Sequence, residues 1–306
     1  MNETIILTLI TIITAATPLV YASLGELVTE RSGVLNLGVE GMMLTGAVCS
    51  FATVHYSGSA TLGVLAGCLA GMALALLFAF LTLTLQSSQV ATGLALTIFG
   101  VGLSALIGQS LVGIAFEGLP VLMPELARIP AIGKLLFGHD ILVYGSFALV
   151  AATSWFLSRT RAGLVLRSVG DSHDAAHALG YHVIRVRYLA TLFGGACAGL
   201  AGAYLSMAYT PMWVENMSAG RGWIALALVV FAVWQPGRLL LGAYLFGGIS
   251  ILQLHGQALG FQVPSQLMSM LPYLTTILVL VLISRDGGRI RRNAPASIGK
   301  AFHPTT

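Results

Sequence analysis

Residues 61–80 read TLGVLAGCLAGMALALLFAF, an apolar run without a single charged side chain. The run lies within residues 41–116, which contain no Asp, Glu, Lys or Arg. Because a helix needs about 20 apolar residues to cross a bilayer, this stretch has room for three spans. In the whole chain 57% of the residues are hydrophobic and only 8% are charged, whereas soluble domains carry about 25% charged residues. The sequence therefore excludes a water-soluble globular protein and predicts a polytopic membrane protein.

Five further stretches also contain no Asp, Glu, Lys or Arg. They are residues 4–25, 141–158, 188–214, 222–237 and 239–284. Divided by the length of a spanning helix, they predict one short span ending near Trp234, two spans in the last stretch and one in each of the others. The expected fold is an all-α membrane bundle of about nine spans, forming one transmembrane domain over residues 1–306.

The basic residues predict which side of the membrane each loop faces. They are concentrated around the loop 159–187 and in the tail 285–306. Because short cytoplasmic loops are enriched in Lys and Arg, we expect both segments to be cytoplasmic. Nine spans then place the N-terminus outside. The basic run of the tail is interpreted as an anchor for lipid headgroups rather than a nucleic-acid site.

Small residues recur at four-residue spacing in two of the predicted spans. These stripes are Gly63, Gly67 and Gly71 in the third span, and Gly195, Gly199 and Ala203 in the sixth. Four residues advance a helix by about 400°, so each stripe lies on one face where another backbone can approach closely. The stripes predict helix packing and do not indicate a function.

Two interrupted segments contain the polar residues expected of a transport route. Segment Glu26–Gly46 contains four glycines, Asn36 and Glu40, and segment Glu215–Trp223 precedes a short apolar run. Unpaired polar groups are costly against lipid, so such segments suit broken helices that line a cavity. The topology places one break inside and the other outside, as in an inverted-repeat transporter. The alternative is a tight loop followed by an interfacial helix.

Five residues of these segments are candidates for the substrate pathway. They are Asn36, Glu40, Asn216, Arg221 and Trp223. Asn36 offers both a donor and an acceptor, and Trp223 could stack on a base or a sugar. The alternatives are that Glu40 pairs with Arg31 and that Trp223 belongs to an interfacial aromatic belt. Weaker candidates are Gln89, Gln109, Gln253 and His255.

The loop 159–187 predicts one short helix outside the membrane, from Asp171 to Leu179. Its expected features are a cap from Asp171 or Ser172, Asp174 at the positive end of the dipole, an apolar face of Ala175, Ala176 and Leu179, and a stop at Gly180. A helix of about eight residues is marginal in water, so it should dock on a partner or, alternatively, on its own bundle. His173 and His177 lack an evident third ligand, so we expect solvated side chains and no metal site.

The sequence lacks the common catalytic and nucleotide-binding motifs. Neither Gly133-Lys134 nor Gly299-Lys300 is followed by Ser or Thr, so there is no Gly-x-x-x-x-Gly-Lys-Ser/Thr loop. A His-Glu-x-x-His zinc helix and a Gly-x-Ser-x-Gly elbow are also absent. The chain is therefore not predicted to be an enzyme or to hold a cofactor, and energy for active transport would come from elsewhere.

Three motifs together resemble a known family. They are residues 30–43, ERSGVLNLGVEGMM, the loop Gly170–Gly180, and residues 220–227, GRGWIALA. They resemble permease subunits of bacterial ABC importers of the ribose and branched-chain amino acid type, closest to the nucleoside and simple-sugar branch. Ribose-type permeases usually carry an Asp-Leu-Ser-Val-Gly pattern where this chain has residues 36–40, NLGVE, which favours a nucleoside-like cargo.

The resemblance implies a type II importer fold in the bacterial inner membrane and a set of partners. It implies ABC ATPase subunits, a second permease chain that is a paralogue, and an extracytoplasmic substrate-binding protein. The helix from Asp171 to Leu179 would then be the coupling helix seated on the ATPase. The competing hypothesis is an ion-coupled secondary transporter, for which Glu40 and His255 are the ionisable candidates.

Overall fold

A computed structural model describes residues 3–129, 132–258 and 293–303, together with isolated positions between 267 and 281. In this part of the chain the regular elements are all helical, as predicted. The α-helices in chain order are α1 Glu3–Arg31, α2 Val39–Ser57, α3 Ala60–Ala79, α4 Gln89–Gly108, α5 Pro124–Ala127, α6 Ile132–Phe137, α7 Ile141–Arg159, α8 Arg161–Asp171, α9 His173–Ala178, α10 Val183–Tyr204, α11 Arg221–Phe231 and α12 Pro236–Ala258.

Five helical segments of the described residues are long and apolar enough to cross a membrane. They are Ile5–Arg31, Ala60–Thr84, Gln89–Leu111, Ile141–Arg159 and Val183–Tyr209. Helix α11 is apolar but shorter, with 11 residues. The predicted total of nine spans is not confirmed. The last span predicted in 239–284 lies mostly outside the described residues.

The two stripes of small residues pack against each other, as the spacing predicts for a helix interface. A Cβ added at Gly71 of α3 would collide with the Gly195 carbonyl of α10, and one at Gly199 of α10 would collide with the Gly67 carbonyl of α3. Without side chains at these positions the two backbones touch. Helix α10 also packs on α1, where Gly194 approaches Thr29, and it forms the centre of the bundle.

The bundle has two distinguishable ends. At one of them, Ser297 N donates to the Gly170 carbonyl at 2.9 Å, and Gly299 N donates to the Gly33 carbonyl at 3.2 Å. This is called the tail end. At the other, Phe116 N donates to the Pro211 carbonyl at 2.9 Å. This is called the loop end. The basic loop around α8 and α9 therefore lies at the same end as the last described residues.

Two helices finish in a π-helical turn. Phe80–Thr84 follows α3 at the tail end, and Leu205–Tyr209 follows α10 at the loop end. Each turn closes with a bond between residues five apart, from Leu85 N to the Phe80 carbonyl at 3.0 Å and from Thr210 N to the Leu205 carbonyl at 2.9 Å. Such turns are frequent at functional sites.

Candidate transport and coupling sites

The first interruption is shorter than predicted. Helix α1 continues through Glu26 to Arg31 and α2 begins at Val39, so the irregular backbone is confined to residues 32–38. Long charged side chains near the end of α1 therefore belong to a regular helix. The predicted break was too long because every glycine and polar residue of the segment was taken as a sign of irregular backbone.

Asn36 lies fully buried inside this first interruption. Its Oδ1 accepts from Gly38 N at 3.0 Å, and its Nδ2 donates to Met42 Sδ at 3.4 Å. Its backbone N–H donates to Glu26 Oε1 at 3.0 Å. Both side-chain bonds go to residues within six positions of Asn36, so the Asn36 side chain shapes the turn into α2.

The second interruption is a tight turn that ends at the first residue of α11. Asn216 (φ 55°), Ala219 (φ 47°) and Gly220 (φ 80°) all adopt the left-handed conformation. Asn and Gly tolerate this conformation better than other residues do. The turn leads to the N-terminus of α11, where the first backbone N–H groups have no partner within the helix.

The carboxylate of Glu40 accepts hydrogen bonds at this N-terminus of α11. Glu40 is only 4% exposed, and its Oε1 accepts from Ser218 Oγ at 2.6 Å and from Gly220 N at 2.8 Å. Its Oε2 accepts from Gly222 N at 2.5 Å. A negative charge at a helix N-terminus is favoured by the helix dipole. Glu40 is therefore the N-terminal anchor of α11.

This contact bears on two expectations about the interruptions. The first interruption reaches the tail end through Gly33, and the second follows Pro211 at the loop end, so the two enter the bundle from different ends and meet at Glu40. The alternative pairing of Glu40 with Arg31 is wrong. Arg31 donates instead to the carbonyls of Trp234 at 3.0 Å and Asn293 at 2.8 Å, at the tail end.

Glycines allow three helices to meet around Glu40. A Cβ at Gly222 of α11 would lie 2.7 Å from the backbone N of Glu40, and one at Gly41 of α2 would lie 2.6 Å from the Leu96 carbonyl of α4. Distances this short exclude any side chain at either position. The joined interruptions thus form a dense contact of α2, α4 and α11.

The other pathway candidates lie around this contact with different exposures. The Arg221 guanidinium stacks over the Tyr209 ring at 5.0 Å and donates to the carbonyls of Met217 and Ser218, both at 3.3 Å. Asn216 is exposed, and Trp223 is 38% exposed. The structure therefore brings Arg221 to the Glu40 contact and leaves accessible side chains at the other two positions.

Two of the weaker candidates have defined surroundings. Gln89, at the start of α4, is buried and its Oε1 accepts from Leu35 N at 2.8 Å, so it fastens the first interruption to α4. Gln109 is exposed in the turn after α4. Gln253 is half-buried in α12, and the side chain of His255 lies outside the described residues.

The short loop helix exists but is shorter than predicted. Helix α9 has six residues, and Ser172 caps it by accepting from Ala175 N at 3.3 Å, whereas Asp171 ends α8. Asp174 lies in its first turn. Gly180 has a φ of 86° and supplies the left-handed stop, as predicted.

The apolar face proposed for this helix is divided between two sides. Leu179 is 76% exposed and Ala175 is exposed, but Ala176 is only 2% exposed. Ala176 packs in a cluster with Val169, Val183 and Phe302. The expectation that Ala176 faces outward is therefore wrong, since it holds α9 onto the rest of the chain.

The histidines of α9 also differ from each other. His177 is exposed as expected, but His173 is buried and its Nδ1 accepts from an Arg187 N–H at 3.2 Å. Burial, followed by the charge of Arg187, lowers the pKa of His173. No group of metal-ligating side chains occurs among the described residues.

The structure also shows contacting residues that sequence analysis missed. Ser218 and Gly222 bind Glu40, and Phe302 of the tail packs on α9. The neighbouring glycines 220 and 222 were the one local signal for the Glu40 contact. Nothing in the composition of the tail indicated the packing of Phe302.

An apolar groove of about 590 Å³ lies between α1, α7, α8 and α10. Among the described residues that line it, Thr153 alone has a polar side chain, and the others include Phe156, Leu166 and Phe193. None of the five pathway candidates lines it. The groove is suited to acyl chains or to another apolar helix, not to a polar cargo.

Comparisons with known proteins decide the family. The model of the family described as "Branched-chain amino acid transport system / permease component" matches residues 8–280. The chain belongs to this permease family. Among solved structures, "An inward-facing conformation of a putative metal-chelate type ABC transporter" aligns with a TM-score of 0.51 over 90% of this permease and 85% of that chain. Since the sequences are only 18% identical, this likeness supports the fold alone.

Three curated relatives cover most of the permease. It is 40% identical to the "Putative glucose ABC transporter permease protein TsgC13" of Haloferax volcanii, over 94% of this chain and 95% of that protein. It is 34% identical to the nucleoside ABC transporter permease protein NupC of Lactococcus lactis, over 87% and 89%. It is 32% identical to the guanosine ABC transporter permease protein NupQ of Bacillus subtilis, over 87% and 88%. The permease is the membrane component of an ABC importer, and it is not itself an enzyme.

Proposed function

We propose that this permease moves nucleosides or related simple sugars across the bacterial inner membrane, driven by separate ATPase subunits. The support is the likeness over nearly the full chain to relatives named for nucleoside, guanosine and glucose transport. In this proposal a paralogous second permease completes the pathway and an extracytoplasmic binding protein delivers the cargo. The bundle is of the type II importer kind with about nine spans and inverted-repeat character, its N-terminus outside and its C-terminus in the cytoplasm.

The proposed route runs beside the joined interruptions. Asn216 and Trp223 offer accessible polar and aromatic surfaces, and bases and sugars both stack on aromatic rings. Glu40 and Arg221 hold the turn that carries them. The side chain of Asn36 is buried. Asn36 therefore contributes to the proposed route by shaping the first interruption.

The proposed coupling surface is the exposed side of α9 and its flanks. It comprises Asp171, Ser172, Asp174, Ala175, Leu179 and Gly180, all of which are exposed. Ala176 is on the buried side of α9 and holds the helix in place. Leu179 and the nearby Tyr181 are both exposed, and two large apolar side chains at one surface suit a groove on a partner protein.

Ion-coupled transport has less support. It requires an ionisable group that can bind and release its ion during the cycle. Both oxygens of Glu40 are already engaged by Ser218, Gly220 and Gly222. A carboxylate used in this way is a structural anchor.

The decisive experiment measures uptake of radiolabelled guanosine, uridine, ribose and glucose in cells that express the permease with its genetic neighbours. We expect accumulation of at least one solute, which disappears when the neighbouring ATPase is deleted or when vanadate is added to membrane vesicles. A protonophore should leave uptake unchanged while ATP is maintained. Uptake that survives loss of the ATPase but stops with the protonophore would overturn the proposal.

A further inference from the structure

The last described residues form a ribbon across the tail end of the bundle. Several backbone and side-chain bonds fasten residues 293–303 to different parts of the chain. Ser297 N donates to the Gly170 carbonyl at 2.9 Å, Gly299 N to the Gly33 carbonyl at 3.2 Å, and Gln86 Nε2 to the Phe302 carbonyl at 3.3 Å. This segment, called the strap, therefore touches α8, the first interruption and the turn before α4.

Phe302 is the apolar anchor of the strap. It is 7% exposed and packs with Ala176 of α9, Val169 of α8 and Val183 of α10. Its ring also meets the edges of His173 and His177, with centroids 5.3 and 5.4 Å apart. One side chain from the end of the sequence thus fills the space beneath the short helix.

Arg187 connects the strap to the first interruption and to α9. Its three guanidinium nitrogens donate to three different partners, the Ser32 carbonyl at 3.2 Å, the Lys300 carbonyl at 3.1 Å and His173 Nδ1 at 3.2 Å. Arg187 is itself buried. The rigid fork of a guanidinium fixes the relative positions of the groups that it binds.

Helix α9 depends on such contacts for its position. A helix of six residues is far shorter than the 12–15 residues that are marginal for an isolated helix in water. The contacts beneath it come from Phe302 and Arg187 together with Val169 of α8 and Val183 of α10, and the surface above it is exposed. The strap and Arg187 therefore supply part of the support that sets the direction in which α9 presents Leu179.

We propose that the strap, through Phe302, positions α9 against the ATPase and links α9 to the first interruption. The proposal rests on the proposed function, in which α9 is the coupling helix. Through Arg187 and Gly299 the strap reaches residues 32 and 33, and the same interruption leads into α2 and Glu40. Phe302 is thus a positioning residue for coupling, although it lies away from the exposed surface of α9.

The test uses the complete transporter, with both permeases and its ATPase, in proteoliposomes. Phe302→Ala is compared with His303→Ala, an exposed neighbour, and with Leu179→Asp on the exposed surface of α9. Two quantities are measured, the cargo taken up per ATP hydrolysed and the hydrogen exchange of the α9 amides. We expect Phe302→Ala to lower the uptake per ATP by about tenfold, a common size for coupling between sites, and to speed exchange in α9. His303→Ala should resemble the wild type.

The outcomes separate the strap from the proposed function. If Leu179→Asp abolishes coupling while Phe302→Ala matches His303→Ala in both measurements, the strap proposal is wrong and the coupling role of α9 stands. If Leu179→Asp leaves uptake and ATPase binding unchanged, the coupling role itself fails. Phe302→Leu keeps an apolar side chain and serves if the alanine variant does not assemble. Its α9 exchange should be faster than that of His303→Ala, and equality with His303→Ala overturns the strap.

Discussion

The Ser218 hydroxyl donates a 2.6 Å hydrogen bond to Glu40 Oε1 and so ties together two interruptions that are 178 residues apart in the sequence. Both groups are buried, and two backbone N–H groups complete the site. A carboxylate that replaces water at three donors is held in place by charge-assisted bonds.

Replacing Glu40 with Gln should destabilise the permease strongly. The amide keeps the size of the side chain, but it loses the charge and points a donor at other donors, at a cost of about 2 kcal/mol or more. Thermal unfolding of the purified protein in detergent measures the loss. Glu215→Gln, at an exposed position of the same turn, is the matched control. Equal melting temperatures for the two variants would contradict the anchoring role of Glu40.

Replacement of Asn36 should lower the amount of assembled permease, whereas replacement of Asn216 should weaken cargo transport without affecting assembly. Asn36→Leu leaves Gly38 N without its partner, so we expect a loss of stability of about 1–3 kcal/mol and a lower amount of assembled permease. Asn216→Gly suits the positive φ and removes only an exposed side chain, so it should raise the KM for cargo at normal assembly. Immunoblotting and uptake kinetics distinguish the two. A normal level of Asn36→Leu protein with impaired uptake would return Asn36 to direct cargo contact.

The interface of α3 and α10 predicts a sharp contrast between two glycines. Gly71→Ala places a Cβ against the Gly195 carbonyl and should cost about 1–3 kcal/mol through overpacking. Gly102→Ala, in α4, meets open space and should stabilise its helix by about 0.5–1 kcal/mol. Melting temperatures in detergent should therefore move in opposite directions. A shift of the same sign would show that the stripes are not in contact.

Two adjacent alanines of α9 test the division of its surface. Ala175→Glu changes an exposed position, so we expect a normal bundle that loses ATPase during purification. Ala176→Glu forces a charge among Val169, Val183 and Phe302, which costs several kcal/mol unless α9 detaches. Hydrogen exchange should rise in α9 only for the second variant. Unchanged exchange in Ala176→Glu would mean that this alanine is not packed as described.

Acid should loosen α9 through His173. Its pKa is lowered below the ordinary 6.5 by burial and by Arg187, with smaller contributions of the same sign from Lys300 and His303 and an opposing one from Asp174. The unfolded chain then binds more protons than the folded chain, so stability rises with pH. The contribution is complete above about pH 6.5 and is lost as the pH falls through the lowered pKa of the folded state.

Hydrogen exchange of the α9 amides between pH 7.5 and 5, corrected for intrinsic rates, measures this effect. His173→Asn retains an acceptor near the position of Nδ1 but does not titrate. The increase in α9 exchange at low pH should therefore be absent from this variant. His177→Asn, at an exposed position on the same helix, is the control and should behave as wild type. The same acid response in His173→Asn would assign the effect to another group.

The sequence predicted the helices better than their contacts. The charge-free stretches 141–158 and 188–214 correspond to α7 and α10, and the stretch 41–116 contains three long helices as predicted, because the bilayer demands long apolar runs. Four-residue spacing predicted the interface of α3 and α10, because a stripe of glycines suits only close helix packing. These features depend on local composition.

The candidate sites were predicted only in part, because their contacts are long-range. Asn36 and Glu40 share one segment, but only the folded chain shows that Asn36 bonds locally and Glu40 bonds across the bundle. Ala176 was assigned to the face for a partner because part of its cover comes from Phe302, far along the sequence. A pattern within one segment contains no information about such partners.

The anchoring of α11 by Glu40 also limits how the permease can change shape. Helix α11 has 11 residues, about 16 Å of rise, which is half the thickness of the hydrocarbon layer. Its start is fixed to α2, and α2 is locked to α4 through glycines at 41 and 100. We therefore expect these parts to move together as one rigid body during transport. We expect the bending at the π-helical turns Phe80–Thr84 and Leu205–Tyr209, which join this body to α3 and α10.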